Sequence, residues 1–346
     1  MTTAISIANG GFAIDGIPTY PGRSWRGRRI EGLLFNSRMA NAIADDENPA
    51  TRGAWSYADG PWDAERSTRG FVAALPSYRA HGLLAVCLNL QGGSPQGYSW
   101  HQPWKIGGFT SDGTIKPAWA ARLATVIEAC DALGMVVILG LFYGKQSPTL
   151  TDEAAVKAAV TNTVDWLLQR KATNVLLEIG NEVDLPNVFA HPVITAGRCH
   201  ELVDLARKRG QGRLLVSTSL ITLDAPPEAL LAACDFLLPH GNAVNGPDGP
   251  PQSSPHGIRL QVARWRAGAG YRGQPVVYNE DDHFDFDKPD NHLVAAVESG
   301  ASWGYFDFRR IRERFEDGFQ SLPVDWTISS ARKRAFFGLL KEITGA

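Results

Sequence analysis

Eight compact apolar runs, each followed by a stretch of helical composition, recur almost from end to end of this 346-residue chain. The runs fall at 30–36, 83–90, 135–142, 174–179, 214–219, 235–238, 275–278 and 302–306. Helical stretches follow at 64–80, 117–133, 153–170, 195–209, 227–233, 258–267, 291–298 and 329–343. The runs are continuous rather than alternating, as strands read when both faces of a parallel sheet are buried. Eight such strand–helix pairs in a chain of this length predict a single (β/α)8 TIM barrel. The punctuation agrees, with Asp152 as an N-cap, Pro117 in a first helical turn and Gly134 and Gly210 as stops. A doubly wound sheet would place a glycine-rich nucleotide loop after the first strand, where Asn36-Ser37-Arg38-Met39 stands instead.

One domain spans 1–346, with 1–29 as a lead-in and 30–346 as the barrel. The segment 12–18 predicts a hairpin turning at Asp15-Gly16, placed to plug the bottom of the barrel. Three long polar insertions, 41–63, 91–117 and 241–256, follow strand ends and so rise from the C-terminal, catalytic face. With 34 basic and 36 acidic residues and no basic run, the chain has no electrostatic footprint for nucleic acid. No apolar run is long enough to span a membrane. The first residues lack a basic region followed by an apolar stretch, which predicts a cytoplasmic protein. Cys87, Cys130, Cys199 and Cys234 match no metal or redox spacing and read as buried free thiols. The pattern specifies no oligomeric state.

Two of the apolar runs end alike. Leu176-Leu177-Glu178-Ile179-Gly180-Asn181-Glu182 closes the fourth strand, and Pro275-Val276-Val277-Tyr278-Asn279-Glu280 closes the seventh. In a barrel both ends open into one bowl, so Glu182 and Glu280 should face each other there. Two opposed carboxylates are what glycoside cleavage requires: one protonates the departing oxygen, the other attacks the anomeric carbon or activates water. Alternation along the fourth strand puts Glu178, Gly180 and Glu182 on one face, with Glu178 expected as a buried partner of Arg38.

On these strings the chain resembles the clan of retaining glycoside hydrolases built on a TIM barrel, which includes the family 5 cellulases and mannanases. The resemblance implies that Glu182 is the general acid/base and Glu280 the nucleophile. It implies a Trp floor under the sugar from the eighth strand, here Trp303. It also implies a sixth-strand residue touching the nucleophile, here His240. Where many members carry a third-strand His, this chain has Gly140-Leu141-Phe142-Tyr143. Arg38 is placed to orient the nucleophile, and Asn181 to bond the substrate's 2-hydroxyl.

Further sugar contacts are expected from Asn89 and Gln91 after the second strand, from Asp282 and His283 after Glu280, and from loop aromatics, chiefly Trp100 and Trp104, with Trp55, Trp62, Tyr57 and Tyr98 as additional flat faces. The acidic run 281–287 matches no calcium loop, so neither metal nor cofactor is expected. The reading is a retaining glycosidase acting on a small or non-reducing-end glycoside, with a saccharide as its partner. The rival readings are a non-catalytic carbohydrate-binding barrel and an endo-acting β-glycanase.

Overall fold

The computed structural model describes residues 3–92, 102–241, 254–306, 318–319 and 323–346. Its strands close into a (β/α)8 barrel. The first strand, Asn36–Arg38, pairs in parallel with the second, Ala85–Asn89. The third, Val136–Tyr143, and fourth, Val175–Asn181, follow in parallel register, with Ala85 opposite Val136 and Ile138 opposite Leu176. The fifth strand runs through Leu215–Ser217 and Ser219–Leu220, the second piece pairing with the sixth, Leu238–Pro239. Val276 and Val277 form the seventh, bridging Leu237 on one side and Ser302 on the other. Gly304–Tyr305, the eighth, returns to the first with Gly304 opposite Asn36. Closure pairs every wall strand on both sides and leaves no sheet edge open.

A helix follows each strand, from Ala64–Ala80 after the first to Ala331–Thr344 after the eighth. Several begin on a side-chain cap. Asp63, Asp152, Asn291 and Ser330 each accept a backbone N–H of the first turn, as the sequence predicted for Asp152. Among the described residues, no helix is long and apolar enough to cross a membrane. The four cysteines are buried and free.

Boundaries moved where hydrogen bonding, rather than apolarity, defines the element. The first ladder begins at Asn36, not residue 30, because the buried stretch before it bonds irregularly: Leu34 N–H donates to the Ser302 hydroxyl, and the Phe35 carbonyl accepts from both Leu84 and Ala85. The lead-in holds three strands more than expected, two of them the short pair Ser24–Trp25 and Arg28–Arg29. Ile5–Ala8 joins Gly11–Ile14 and Ile17–Pro18 in an antiparallel meander, with the second turn at Asp15-Gly16 as predicted. Both turn residues adopt positive φ, the geometry that two-residue hairpins demand.

The meander closes the barrel from below. Phe12 is buried among Leu34, Leu84, Cys87, Val136, Leu176 and Phe236, the apolar filling of the barrel's lower interior. A second, larger core lies between the strands and the helices. The upper interior is polar instead. Phe12→Ala removes the plug's one large side chain and should destabilise the fold by about 3–5 kcal/mol, seen as a lower urea midpoint with the helical circular dichroism unchanged before the transition.

Candidate active site

Strand ends deliver the polar groups to one face. Arg38 ends the first strand, Asn181 the fourth, His240 follows the sixth, and Glu280 follows the seventh. Glu182 comes immediately after the fourth strand with φ +57°, a left-handed conformation that a glutamate rarely adopts. Its backbone N–H is held by the Ser219 hydroxyl at 3.0 Å. The reversal turns the Glu182 carboxylate toward His240, whose Nδ1 lies 2.9 Å from its Oε1. The same Nδ1 is 3.7 Å from Glu280 Oε2. These three atoms, one from each residue, all lie within 4.8 Å of one another.

Arg38 lies buried against this group. Its Nε is 2.9 Å from Glu280 Oε2, its Nη1 3.6 Å from Glu178 Oε2, and its Nη2 donates to Asn181 Oδ1. This bond fixes the Asn181 amide with its oxygen toward Arg38. Asn279 Nδ2 donates to Glu178 Oε2 at 3.1 Å. Glu178 is therefore a buried partner of Arg38, as expected. Its predicted companion Gly180 is not on that face: a Cβ there would meet Val183 and Ile194, outside the barrel. Glu178 and Asn181, three residues apart, both reach Arg38, so strict alternation breaks before the strand ends.

Burial pushes the Glu280 carboxyl above its ordinary value, with Glu182 and Glu178 adding to the rise and His240 and Arg38 opposing it. For His240, burial alone would lower the pKa; the two carboxylates outweigh it and the net shift is upward. Glu280 and His240 thus hold protons more tightly than they do in water.

The residue after the nucleophile candidate points the other way. Asp281 accepts His283 Nδ1 at 2.7 Å, His292 Nδ1 at 2.9 Å and Trp303 Nε1 at 2.9 Å. The two imidazoles stack with centroids 3.6 Å apart. Burial would raise the Asp281 pKa, but His292 and His283 outweigh it and hold the carboxyl well below the usual range. Asp281, His283 and His292 resemble a metal ligand set. Here, however, the carboxylate oxygens are filled by N–H donors, and stacked rings do not converge on one point as ligands of a single ion do.

Trp303 corrects the sequence reading. It is fully buried, packed against Phe286 and Phe336 in the helix layer, and offers no face to a sugar. The cause is the two-residue period of a strand. Gly304 is the inward position, where an added Cβ would lie 2.2 Å from Asn36 Oδ1, so Trp303 and Tyr305 point outward. Asn89 is also buried, below the bowl, with its amide where a Cβ on Gly140 would stand. Gln91 is spent on scaffolding, donating to the Gln146 carbonyl and accepting Tyr143 N–H. Trp55 and Trp62 are buried and bonded to Asp46 and Asp45, stitching the first insertion down. Trp104 is buried as well, while Asp282 and His283 are half-buried, with His283 turned to Asp281. Trp100 and Tyr98 lie outside the described residues. Tyr143, which the sequence reading left unassigned, is close enough to feel both Glu182 and Glu280; burial raises its pKa further.

No protein-family model matches the sequence, and no curated protein does. Solved structures do. An endo-1,4-beta-mannanase from Rhizomucor miehei aligns over 99% of this chain and 100% of its own, at TM-score 0.61 and 11% identity. The fold is that of the family 5 glycoside hydrolases. A GH5-4 broad-specificity endoglucanase from Bacteroides salanitronis covers 90% of this chain and 93% of its own, at TM-score 0.56 and 14% identity. A beta-mannanase from the blue mussel Mytilus edulis covers 99% and 97%, at TM-score 0.55 and 10% identity.

The Asp281 cluster makes a pH-dependent contribution to stability whose sign follows from its shifts. His283 is raised above 6.5: burial lowers it, and Asp281 more than compensates. A raised histidine stabilises fully below its unfolded value and loses that contribution as pH climbs through the folded one. Asp281 is depressed below 3.8, so its contribution is present above that value and lost as pH falls through the folded one. Asp281→Asn should therefore cost most between about pH 4 and 6.5 and less at pH 9, as thermal unfolding of both proteins across that range will reveal.

Proposed function

We propose that this chain is a retaining glycoside hydrolase acting on a small or non-reducing-end glycoside, with Glu182 as acid/base and Glu280 as nucleophile. The observation that carries the reading is the cluster of Glu182, His240 and Glu280 atoms within 4.8 Å of one another. That spacing fits a double displacement, whose carboxyl groups sit about 5–5.5 Å apart, rather than single inversion, which needs about 6.5–9.5 Å to admit water. The GH5 fold favours the same reaction.

In the proposed cycle Glu280 attacks the anomeric carbon while Glu182 protonates the departing oxygen. Arg38 holds the attacking carboxylate at 2.9 Å and stops it from rotating away. Asn181 Nδ2 donates to the 2-hydroxyl, a contact that strengthens as the ring becomes cationic. Once the glycosyl ester forms, the negative charge on Glu280 is gone. Glu182, now deprotonated, draws a proton from water, which opens the ester from the opposite side.

Charge counting supports the starting state. Glu178, Glu182 and Glu280 face Arg38 and His240, so with every carboxyl ionised and His240 neutral the group reaches neutrality by taking up two protons. A group of this charge favours keeping protons in the site.

A panel of aryl pyranosides and furanosides in both anomers tests this, with the product anomer followed by NMR. Retained configuration is expected. Glu182→Gln should lower turnover about 10²–10⁴-fold, less for good leaving groups, and Glu280→Gln should abolish it. Inverted product would overturn the mechanism. Binding without cleavage by the wild type would favour a sugar-binding barrel. Because Glu280 titrates above 4.5, kcat/KM should fall on acidification at a pH above that value.

A further inference from the structure

The fifth strand is apolar through Leu214-Leu215-Val216 and then carries three hydroxyl residues in a row, Ser217-Thr218-Ser219. All three are buried. A buried hydroxyl is costly unless it is hydrogen-bonded, and each of these is. Ser217 donates to the Phe236 carbonyl, just before the sixth strand. The other two turn to the fourth. Thr218 Oγ1 accepts Gly180 N–H at 3.2 Å and donates to the Gly180 carbonyl at 2.8 Å. A side chain thus stands in for the backbone ladder that joins these two strands lower down. Ser219 Oγ accepts Glu182 N–H at 3.0 Å and donates to the Gly180 carbonyl at 3.3 Å.

The backbone around Ser219 reaches further. Its carbonyl accepts Val183 N–H at 3.1 Å, and the carbonyl of Leu220 accepts His240 N–H at 2.9 Å. Two adjacent residues therefore hold the acid/base segment on one side and the imidazole segment on the other. At the far end of the loop, the Asp184 carboxylate accepts the N–H groups of Ile221 and Thr222, closing the loop just above the same strand. A residue with a Cβ rarely adopts positive φ unless its surroundings impose it. Here φ is +57° at Glu182, and the carboxylate meets His240.

We infer that Ser219 is a positioning residue, whose hydroxyl and carbonyl impose the left-handed turn at Glu182 and so set the distance between that carboxylate and His240. The inference deepens the glycosidase reading and rests on it for the chemical consequence: a Glu182 that drifts from this position is a poorer proton donor to the departing oxygen. The geometry itself is independent of that reading.

The test separates geometry from turnover. Ser219→Ala removes the hydroxyl. Ser302→Ala is the control, because Ser302 is likewise buried and its hydroxyl likewise accepts a backbone N–H, that of Leu34. Asp184→Ala frees the same loop at its other end and gives a second route should Ser219→Ala fold poorly. The His240 ring is titrated by NMR in the full chain, with isotope-labelled histidine. Glu182 and Glu280 hold the His240 pKa up against burial and Arg38. Retreat of Glu182 should therefore lower it in Ser219→Ala and Asp184→Ala and leave it in place in Ser302→Ala. Turnover of aryl glycosides gives the second readout, through kcat/KM, which reports the step in which the acid acts. It should fall about tenfold to a hundredfold for a methoxyphenyl glycoside and stay near wild type for a dinitrophenyl glycoside, whose leaving group departs without a proton. An unmoved His240 titration, or equal loss for both leaving groups, overturns the proposal. If the wild type cleaves no glycoside, the hydrolase reading falls and the His240 titration alone decides the positioning role.

Discussion

One buried guanidinium governs the geometry of this bowl. Arg38 reaches Glu178, Asn181 and Glu280, residues delivered by the fourth and seventh strands. A buried charge is tolerated only when others answer it, and breaking such a set costs several kcal/mol because the survivors are stranded. The polar upper interior is therefore an all-or-nothing assembly. Arginine suits the position because its planar fork can serve three partners at once, which a lysine cannot.

The seventh strand does two jobs with adjacent residues. Glu280 faces the axis, while Asp281 turns outward and is gripped by His283, His292 and Trp303. The nucleophile candidate is thus fixed from the front by Arg38 and from behind through its neighbour's bonds to the helix layer. Preorganisation of this kind avoids the entropic cost of positioning the carboxylate at the moment of reaction.

Much of this was legible in the sequence, because parallel barrel strands announce themselves as continuous apolar runs and their ends share one face. That logic brought Glu182 and Glu280 together without any distance information, and the family resemblance added Arg38, Asn181 and His240. The errors share a physical origin. Trp303 was assigned by its type and strand, although the glycine beside it marks the inward position. Gly180 was assigned by strict alternation, which fails where the fourth strand bends toward Glu182. Trp55, Trp62 and Gln91 looked available because polar and aromatic loop residues look alike whether they meet a ligand or pin a loop; only their bonds to Asp46, Asp45 and Gln146 distinguish the two. The role of Asp281 was invisible because its partners come from His292 and Trp303, eleven and twenty-two residues away.

The outward grip on Asp281 has a further consequence. Glu280 is held by Arg38 from the barrel wall, and Asp281 beside it by His292 and Trp303 from the helix layer. The length or charge of the insertions after the first and second strands can therefore be changed with those contacts left in place, so an engineer can rebuild the front of the molecule without rebuilding the wall behind it.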